Sequence, residues 1–190
     1  MKSILMSIKP KFVEKIANGE KTVEVRKTAP KLEVPFKCYI YCTKGKPCLK
    51  ISYFDKKSCF SFYGYSYKEA KEIFEDDLWN GSVIGEFVCD EVIEICFECS
   101  DWSKLRPAKI PCTGLTDKEI VEYLGNGKSG YGLHISDLKI YDKPKELSKF
   151  RKPCDAFLDC LSCRMGKIAD LSCKGQLTRP PQSWQYVEEL

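Results

Sequence analysis

The segment 10–26 constrains the fold most, because its hydrophobic period changes there from helical to extended. Pro10 suits the first position of a helix, apolar residues then recur every three or four positions, and Gly19 suits the residue past the helix end. Beyond it, apolar and polar residues alternate. The sequence therefore predicts a short helix over 10–18, followed directly by a strand over 22–27.

The polar face of this predicted strand concentrates charge. Thr22, Glu24 and Arg26 share the face opposite the valines, with Lys21 at its rim. A lysine beside a carboxylate can have its charge state tuned for proton transfer, which makes Lys21 and Glu24 candidate catalytic residues. The alternative is an exposed ion pair that contributes little to stability.

The same periodicity assigns further elements along the chain. Thr116 and Glu119 have the capping-box spacing that begins a helix. Predicted helices span 66–79 and 116–124. Predicted strands span 2–8, 36–43, 82–98 and 132–141, with a strand pair across 47–64. Short strands with few helices favour a mixed, mostly β domain.

Two motifs resemble the ends of a known domain. Residues 4–10, a short helix and the Gly-x-Lys-x-x-Glu-x-Arg motif at 19–26 resemble the opening of an ASCH domain. Residues 130–141 resemble its closing strand. The family belongs to the PUA-like superfamily of small β-barrels, many of which bind RNA. The resemblance covers 1–147 and implies an α+β fold, namely a PUA-like, mostly antiparallel β-barrel with short flanking helices.

From this resemblance we expect a protein that binds RNA or a nucleotide without being an enzyme. Lys9, Lys21 and Arg26 would contact phosphates or base edges. Glu24 would orient these cations or accept a hydrogen bond from a base amino group.

The closing strand supplies two further candidates, Tyr131 and His134. His134 is the single histidine, and it faces away from Leu133 and Ile135. One histidine excludes a multi-histidine metal centre. His134 could line a pocket mouth or contact a phosphate, and a hydrogen-bonded structural histidine is the alternative.

The resemblance also implies a second interpretation, a small amidohydrolase acting on acylated cytidine. A bacterial branch of ASCH-like proteins hydrolyses acetylcytidine, and its motif reads Gly-x-Lys-Thr-x-Thr-x-Arg. This chain matches at Lys21, the expected base, and at Thr22, but it has Glu24 where the nucleophilic threonine would lie. Glutamate at this position favours the binding protein over the hydrolase.

Charge is unevenly distributed along the chain. Residues 1–50 hold twelve Lys or Arg against four acidic residues, a net of +8, whereas 51–100 hold four against eleven, a net of −7. A basic first quarter suits contact with phosphates, although solvated lysines on a soluble domain are the alternative. Aromatic residues between 53 and 67 could also stack bases, although alternating aromatics are more often hairpin core.

Twelve cysteines are unusually many. Cys38 and Cys42 share the apolar face of a predicted strand and should be small core residues. Cys89 and Cys99 should also point inward, whereas Cys96 should point outward. The Cys96-x-x-Cys99 spacing is therefore weak evidence for zinc.

Residues 148–190 are predicted to form a small Cys-rich module. Its Cys160-x-x-Cys163 spacing is a zinc half-site, and a module this small would gain stability from a metal. The candidate ligands of a structural Zn²⁺ are Cys154, Cys160, Cys163 and Cys173. Reduced, partly buried thiols are the alternative. The tail from Trp184 to Val187 could return to the barrel as an edge strand.

The remaining expectations concern location and partners. No run of about 18 apolar residues occurs, so we expect no membrane span and a cytoplasmic protein. The Arg-Pro-Pro-Gln-Ser-Trp ending at 179–184 resembles that of ASCH-like proteins of phage and prophage type. A third interpretation is therefore a phage accessory protein that docks a host protein.

Overall fold

The computed structural model describes residues 3–51, 59–95, 112–125, 128–153 and 175–189. The helices are α1 (Pro10–Ala17), α2 (Tyr67–Phe74) and α3 (Asp117–Leu124), with 3₁₀ turns at Glu75–Asp77 and Leu147–Lys149. The strands are β1 (Ser3–Ile8), β2 (Val23–Arg26), β3 (Phe36–Cys42), β4 (Cys48–Ile51), β5 (Cys59–Phe62), β6 (Val83–Cys89), β7 (Val92–Ile95), β8 (Gly130–His134), β9 (Ser136–Lys145), β10 (Phe150–Arg151) and β11 (Trp184–Glu189).

The strands described form three sheets. A six-stranded sheet has the order β10-β11-β1-β3-β6-β9, and a three-stranded sheet has the order β2-β8-β7. The hairpin β4-β5 is the third. Pairing is antiparallel except between β1 and β3, where Ile4 lies opposite Cys38. The predicted α+β, mostly antiparallel fold is confirmed, but within the described residues these sheets do not close into one continuous barrel.

Both faces of the sheet are buried at its central strands β1 and β3, which explains the nearly continuous apolar runs there. Ile4 and Met6 contribute to a core shared with α1, whereas Leu5 points into a second cluster on the opposite face. As predicted, Cys38 and Cys42 are fully buried core residues, and so is Cys89. Cys96 and Cys99 lie outside the described residues.

Two predicted strands are each divided in the structure. The strand predicted over 82–98 breaks at Asp90 and Glu91, so that β6 belongs to the large sheet and β7 to the small one. The strand predicted over 132–141 breaks at Ile135 in the same way, between β8 and β9. Alternation continues across both breaks, and therefore sequence periodicity does not register the change of sheet.

One helix is shorter than its hydrophobic period predicts. The helix predicted over 66–79 is α helical only to Phe74, and both α2 and α3 begin with a complete capping box, at Ser66 and Thr116. Because α3 packs Ile120 and Leu124 onto the small sheet, its opposite side faces outward beside β2. In the described part of the chain, no helix is long and apolar enough to cross a membrane.

The C-terminal segment is part of the large sheet. β11 pairs with β1 on one side and with β10 on the other, so it lies one strand in from the edge. Val187 is fully buried in the second cluster, beside Phe150. The boundary between a domain at 1–147 and a module at 148–190 stays a prediction.

Candidate functional site

A cavity of about 550 Å³ opens between β1, β2, α1 and α3. Four of the predicted site residues line it, and the remaining contributors come from residues 7–43, from 115–123 and from Gln182. The lining residues are Ser7, Ile8, Lys9, Lys11, Phe12, Lys21, Glu24, Val25, Arg26, Thr43, Leu115, Glu119, Glu122, Tyr123 and Gln182. The volume falls within the usual range of small-ligand sites.

Three charged residues in this lining, Lys21, Glu24 and Arg26, form a buried triad. Glu24 lies between the two cations, with Oε2 3.2 Å from Lys21 Nζ and Oε1 3.0 Å from Arg26 Nη2. All three residues are more than nine-tenths buried. The sequence placed Lys21 at the rim of the polar face, but in the structure Lys21 is only 2% exposed. A carboxylate shared by two buried cations is well compensated, whereas any one of these charges alone would be costly.

Lys21 donates to two backbone carbonyls besides its contact with Glu24. Nζ lies 2.7 Å from the carbonyl oxygen of Val23 and 2.5 Å from that of Thr113. Burial lowers the pKa of Lys21 below its ordinary value, and the nearby Glu24 opposes that effect. The two carbonyls accept hydrogen bonds from the ammonium and the Glu24 carboxylate pairs with its charge, so this lysine holds the triad in place.

Arg26 connects the triad to the C-terminal tail. Its Nη2 donates to the carbonyl oxygen of Ser7 at 2.9 Å, and its Nη1 lies 3.3 Å from both the carbonyl oxygen and Oγ of Ser183. Ser7 Oγ in turn donates to the carbonyl oxygen of Pro181 at 2.6 Å. Within the described residues, Nε of Arg26 and Oε2 of Glu24 have no hydrogen-bond partner.

The exposed margin of the cavity carries opposite charges on its two sides. Lys9 and Lys11, both exposed, lie at the start of α1. Glu119 and Glu122 lie on α3 with Tyr123, since residues three and four positions apart share one side of a helix.

Glu119 is the cap partner of α3 and carries a negative charge at neutral pH. Hydrogen bonds from the backbone N–H and hydroxyl of Thr116 lower the pKa of Glu119.

The structure does not bring Tyr131 and His134 into this lining. Tyr131 packs against the main core opposite Arg26 in the β2–β8 pairing. His134 Nδ1 lies 2.7 Å from Asp90 Oδ1, and this hydrogen bond lowers the pKa of Asp90. The contact joins β8 to the turn between β6 and β7, which matches the structural role considered for this histidine.

The aromatic stretch forms a separate surface on the β4-β5 hairpin. Phe62 and Tyr65 pack against Phe74 of α2, with ring centroids 4.7 and 5.8 Å from the Phe74 ring. Phe60 and Tyr63 remain exposed. Lys50 Nζ lies over the Phe74 ring, 5.5 Å from its centre, and pairs with Asp77 Oδ2 at 3.4 Å.

The predicted zinc ligands, Cys154, Cys160, Cys163 and Cys173, lie outside the described residues. Among the residues that are described, no group of three or more His, Cys, Asp or Glu side chains is placed to hold a metal ion. The zinc site stays a prediction.

Comparison with known proteins supports the fold. No protein-family model matches this sequence, and no curated protein matches it. The chain does match the crystal structure of ASCH from Zymomonas mobilis, with 16% identity and a TM-score of 0.52 over 98% of this chain and 87% of that one.

Two mutants of the same Zymomonas protein match equally well. A Tyr→Phe mutant gives 16% identity and a TM-score of 0.53 over 99% and 91% of the two chains. A Ser→Ala mutant gives 16% identity and a TM-score of 0.52 over 98% and 88%. At this identity the likeness shows the fold alone: this α+β chain has the fold of the Zymomonas ASCH structure.

Several contributors to the cavity carry no recognisable signal in the sequence. Ser7, Thr113 and Ser183 enter the site through their backbone carbonyls, which any residue type could provide. Tyr123 had a detectable signal, because it is a large aromatic on the polar side of a capped helix. Helical spacing alone does not say what that side faces.

Proposed function

We propose that this chain binds RNA or a nucleotide in the cavity and does not hydrolyse it. The observation that carries this proposal is the buried triad together with the lysines beside it. Lys21 and Arg26 hold two positive charges against one carboxylate, while Lys9 and Lys11 add two more at the exposed side of α1. With Glu119 and Glu122 counted, the lining carries four cations against three carboxylates, and its positive side, at α1, attracts a phosphate-bearing ligand.

The distribution of charge favours this cavity over the aromatic hairpin. The cavity draws on the first fifty residues, whose net charge is +8. The exposed aromatic rings of the hairpin belong to residues 51–100, whose net charge of −7 would repel a polyanion. We therefore assign nucleic-acid contact to the cavity rather than to the hairpin.

The test uses exposed lysines, because charge reversal at the buried Lys21 or Arg26 would also damage the fold. The double variant Lys9→Glu/Lys11→Glu should weaken binding of a labelled single-stranded RNA at least tenfold, about 1.4 kcal/mol. Wild-type affinity should fall as salt rises, and the double variant should show a smaller salt slope. Fluorescence anisotropy across a salt series measures both quantities.

The matched control is the double variant Lys118→Glu/Lys143→Glu, at two exposed lysines that are not among the cavity-lining residues. It should bind almost as tightly as the wild type. Equal loss in the control and in Lys9→Glu/Lys11→Glu would mean that only net charge matters, and the cavity proposal would fail.

A second function, hydrolysis of acylated cytidine, is favoured by one observation. A lysine with a lowered pKa lies in the cavity 3.2 Å from a carboxylate, as acid–base chemistry requires. Against it, Lys21 already donates to two carbonyls and pairs with Glu24, and Glu24 is held between two cations where the hydrolases have a nucleophilic threonine.

We therefore expect little or no turnover of acetylcytidine by the wild type, and at most a trace from Glu24→Thr. Robust wild-type turnover that disappears in Lys21→Ala would make the hydrolase the leading interpretation.

A further inference from the structure

We propose that Tyr123 is the stacking platform for a single unpaired base, so that the cavity selects single-stranded nucleic acid over a duplex. In this arrangement the base faces α3 and its phosphate faces Lys9 and Lys11 on α1. The inference rests on the proposed function and specifies the ligand of that same cavity.

Tyr123 is the accessible aromatic ring of the cavity lining. It is 38% exposed although its neighbours Ile120 and Leu124 on α3 are buried in the core. Lys27 Nζ lies over the Tyr123 ring, 5.4 Å from its centre, so one cation covers one of the two ring faces. An exposed ring next to a cation is the arrangement that single-strand binding proteins use to hold bases.

The other aromatic ring of the lining, Phe12, is already covered by the core and by lysine side chains. It packs against the main core, and Lys11 Nζ and Lys21 Nζ lie 4.6 and 5.5 Å from the centre of its ring. Phe12 therefore serves as a wall, and Tyr123 remains as the surface on which a base can stack.

The charges on the two sides of the cavity fix the orientation. Glu119 and Glu122 flank Tyr123 on α3 and outnumber Lys27, the cation at its ring, so this side would repel a phosphate, whereas a base has no net charge. Lys9 and Lys11, on the α1 side, attract a phosphate. The uncharged part of the ligand therefore belongs against α3, and its phosphate against α1.

The size of the cavity excludes a paired base. A recess of about 550 Å³ suits a small-molecule-sized group such as one nucleotide and is far smaller than a double helix. Since a base in a duplex keeps both faces stacked on its neighbours, only an unpaired base offers a face to Tyr123.

The experiment is a double-mutant cycle in which one partner is the base itself. Wild type and Tyr123→Ala are compared by anisotropy on a short labelled single-stranded RNA and on the fully abasic strand of equal length. We expect Tyr123→Ala to weaken binding of the intact RNA roughly tenfold or more. It should leave binding of the abasic strand unchanged, and Tyr123→Phe should bind the intact RNA like the wild type.

Tyr63→Ala is the matched control, because Tyr63 is 66% exposed on the hairpin and is not among the cavity-lining residues. It should bind like the wild type, and thermal unfolding confirms that each variant is folded. A duplex of the same sequence should bind more weakly than the single strand, with no effect of Tyr123→Ala.

Two results separate the inference from the function on which it rests. If Tyr123→Ala binds the intact RNA as tightly as the wild type while Lys9→Glu/Lys11→Glu still weakens binding, the stacking role is wrong and the cavity remains the site. If the wild type binds neither strand, or if the lysine variant binds normally, the proposed function fails and the inference with it.

Discussion

At the scale of single residues, the main feature is a carboxylate that compensates two buried cations. Glu24 contacts Lys21 and Arg26 at 3.2 and 3.0 Å, and each of these side chains is at least 92% buried. Buried ion pairs contribute little net stability against apolar replacements, but removal of one partner leaves an uncompensated charge. The triad is therefore a point at which a single substitution has a large effect.

We expect Glu24→Gln to lower the free energy of unfolding by about 3 kcal/mol, because both cations lose their counter-ion at once. Chemical denaturation of the purified protein measures this change. Glu20→Gln is the control: Glu20 is exposed four positions earlier, and its substitution should change stability by about 0.5 kcal/mol or less. A Glu24→Gln protein as stable as the control would mean that the triad is hydrated rather than buried.

At the scale of elements, α3 determines where the outer wall of the cavity lies. Its N-terminus is held by the Thr116 hydroxyl, which accepts from the Glu119 backbone N–H, and by Glu119 Oε2, which accepts from the Thr116 backbone N–H. Ile120 and Leu124 anchor the helix to the small sheet. The N-terminal cap of α3 and its buried face together fix the position of Tyr123 on the helix.

Loss of this cap should be measurable without any ligand. We expect Thr116→Ala to lower the free energy of unfolding by about 1 kcal/mol, since one hydroxyl no longer satisfies a backbone N–H at the helix start. Thr116→Ser keeps the hydroxyl and should remain close to the wild type. If serine and alanine are equally destabilising in thermal unfolding, the effect comes from the lost methyl group and not from the cap.

At the scale of the whole molecule, the core holds groups that ionise only when the chain unfolds. Burial raises the pKa of Cys89 to about 12 from its ordinary 9.0, and that of Tyr41 to about 12 from 10.0. Between pH 9 and 12 the unfolded chain has released the Cys89 proton while the native state retains it. The native state then binds more protons, so the free energy of unfolding must fall as pH rises.

Each such group contributes a slope of at most about 1.4 kcal/mol per pH unit. Cys89→Ala should therefore make the alkaline fall in stability shallower by up to this amount, as measured by denaturant unfolding at a series of pH values. The exposed Cys112 gives the comparison, and Cys112→Ala should keep the wild-type slope. Equal slopes for all three proteins would show that the Cys89 thiol is not the titrating group.

Properties that depend on neighbours in the chain could be predicted from the sequence. The helix-to-strand change over 10–26, both capping-box helices and the shared polar face of Glu24 and Arg26 follow from local periodicity, and the structure has them. Burial of Cys38 and Cys89 was equally predictable from alternation. These properties are local because hydrogen bonds in a helix and side-chain direction in a strand are set within a few residues.

The contacts between these elements depend on the tertiary fold and could not be predicted from local sequence. Lys21 is buried because the carbonyl of Thr113, 92 positions later, covers it, and Arg26 reaches Ser183, 157 positions away. The division of one predicted strand between two sheets, at Asp90 and Glu91, depends on which strands lie alongside it. A cavity is a space between elements distant in the chain, so its shape, and the ring of Tyr123 at its margin, exist only once the chain has folded.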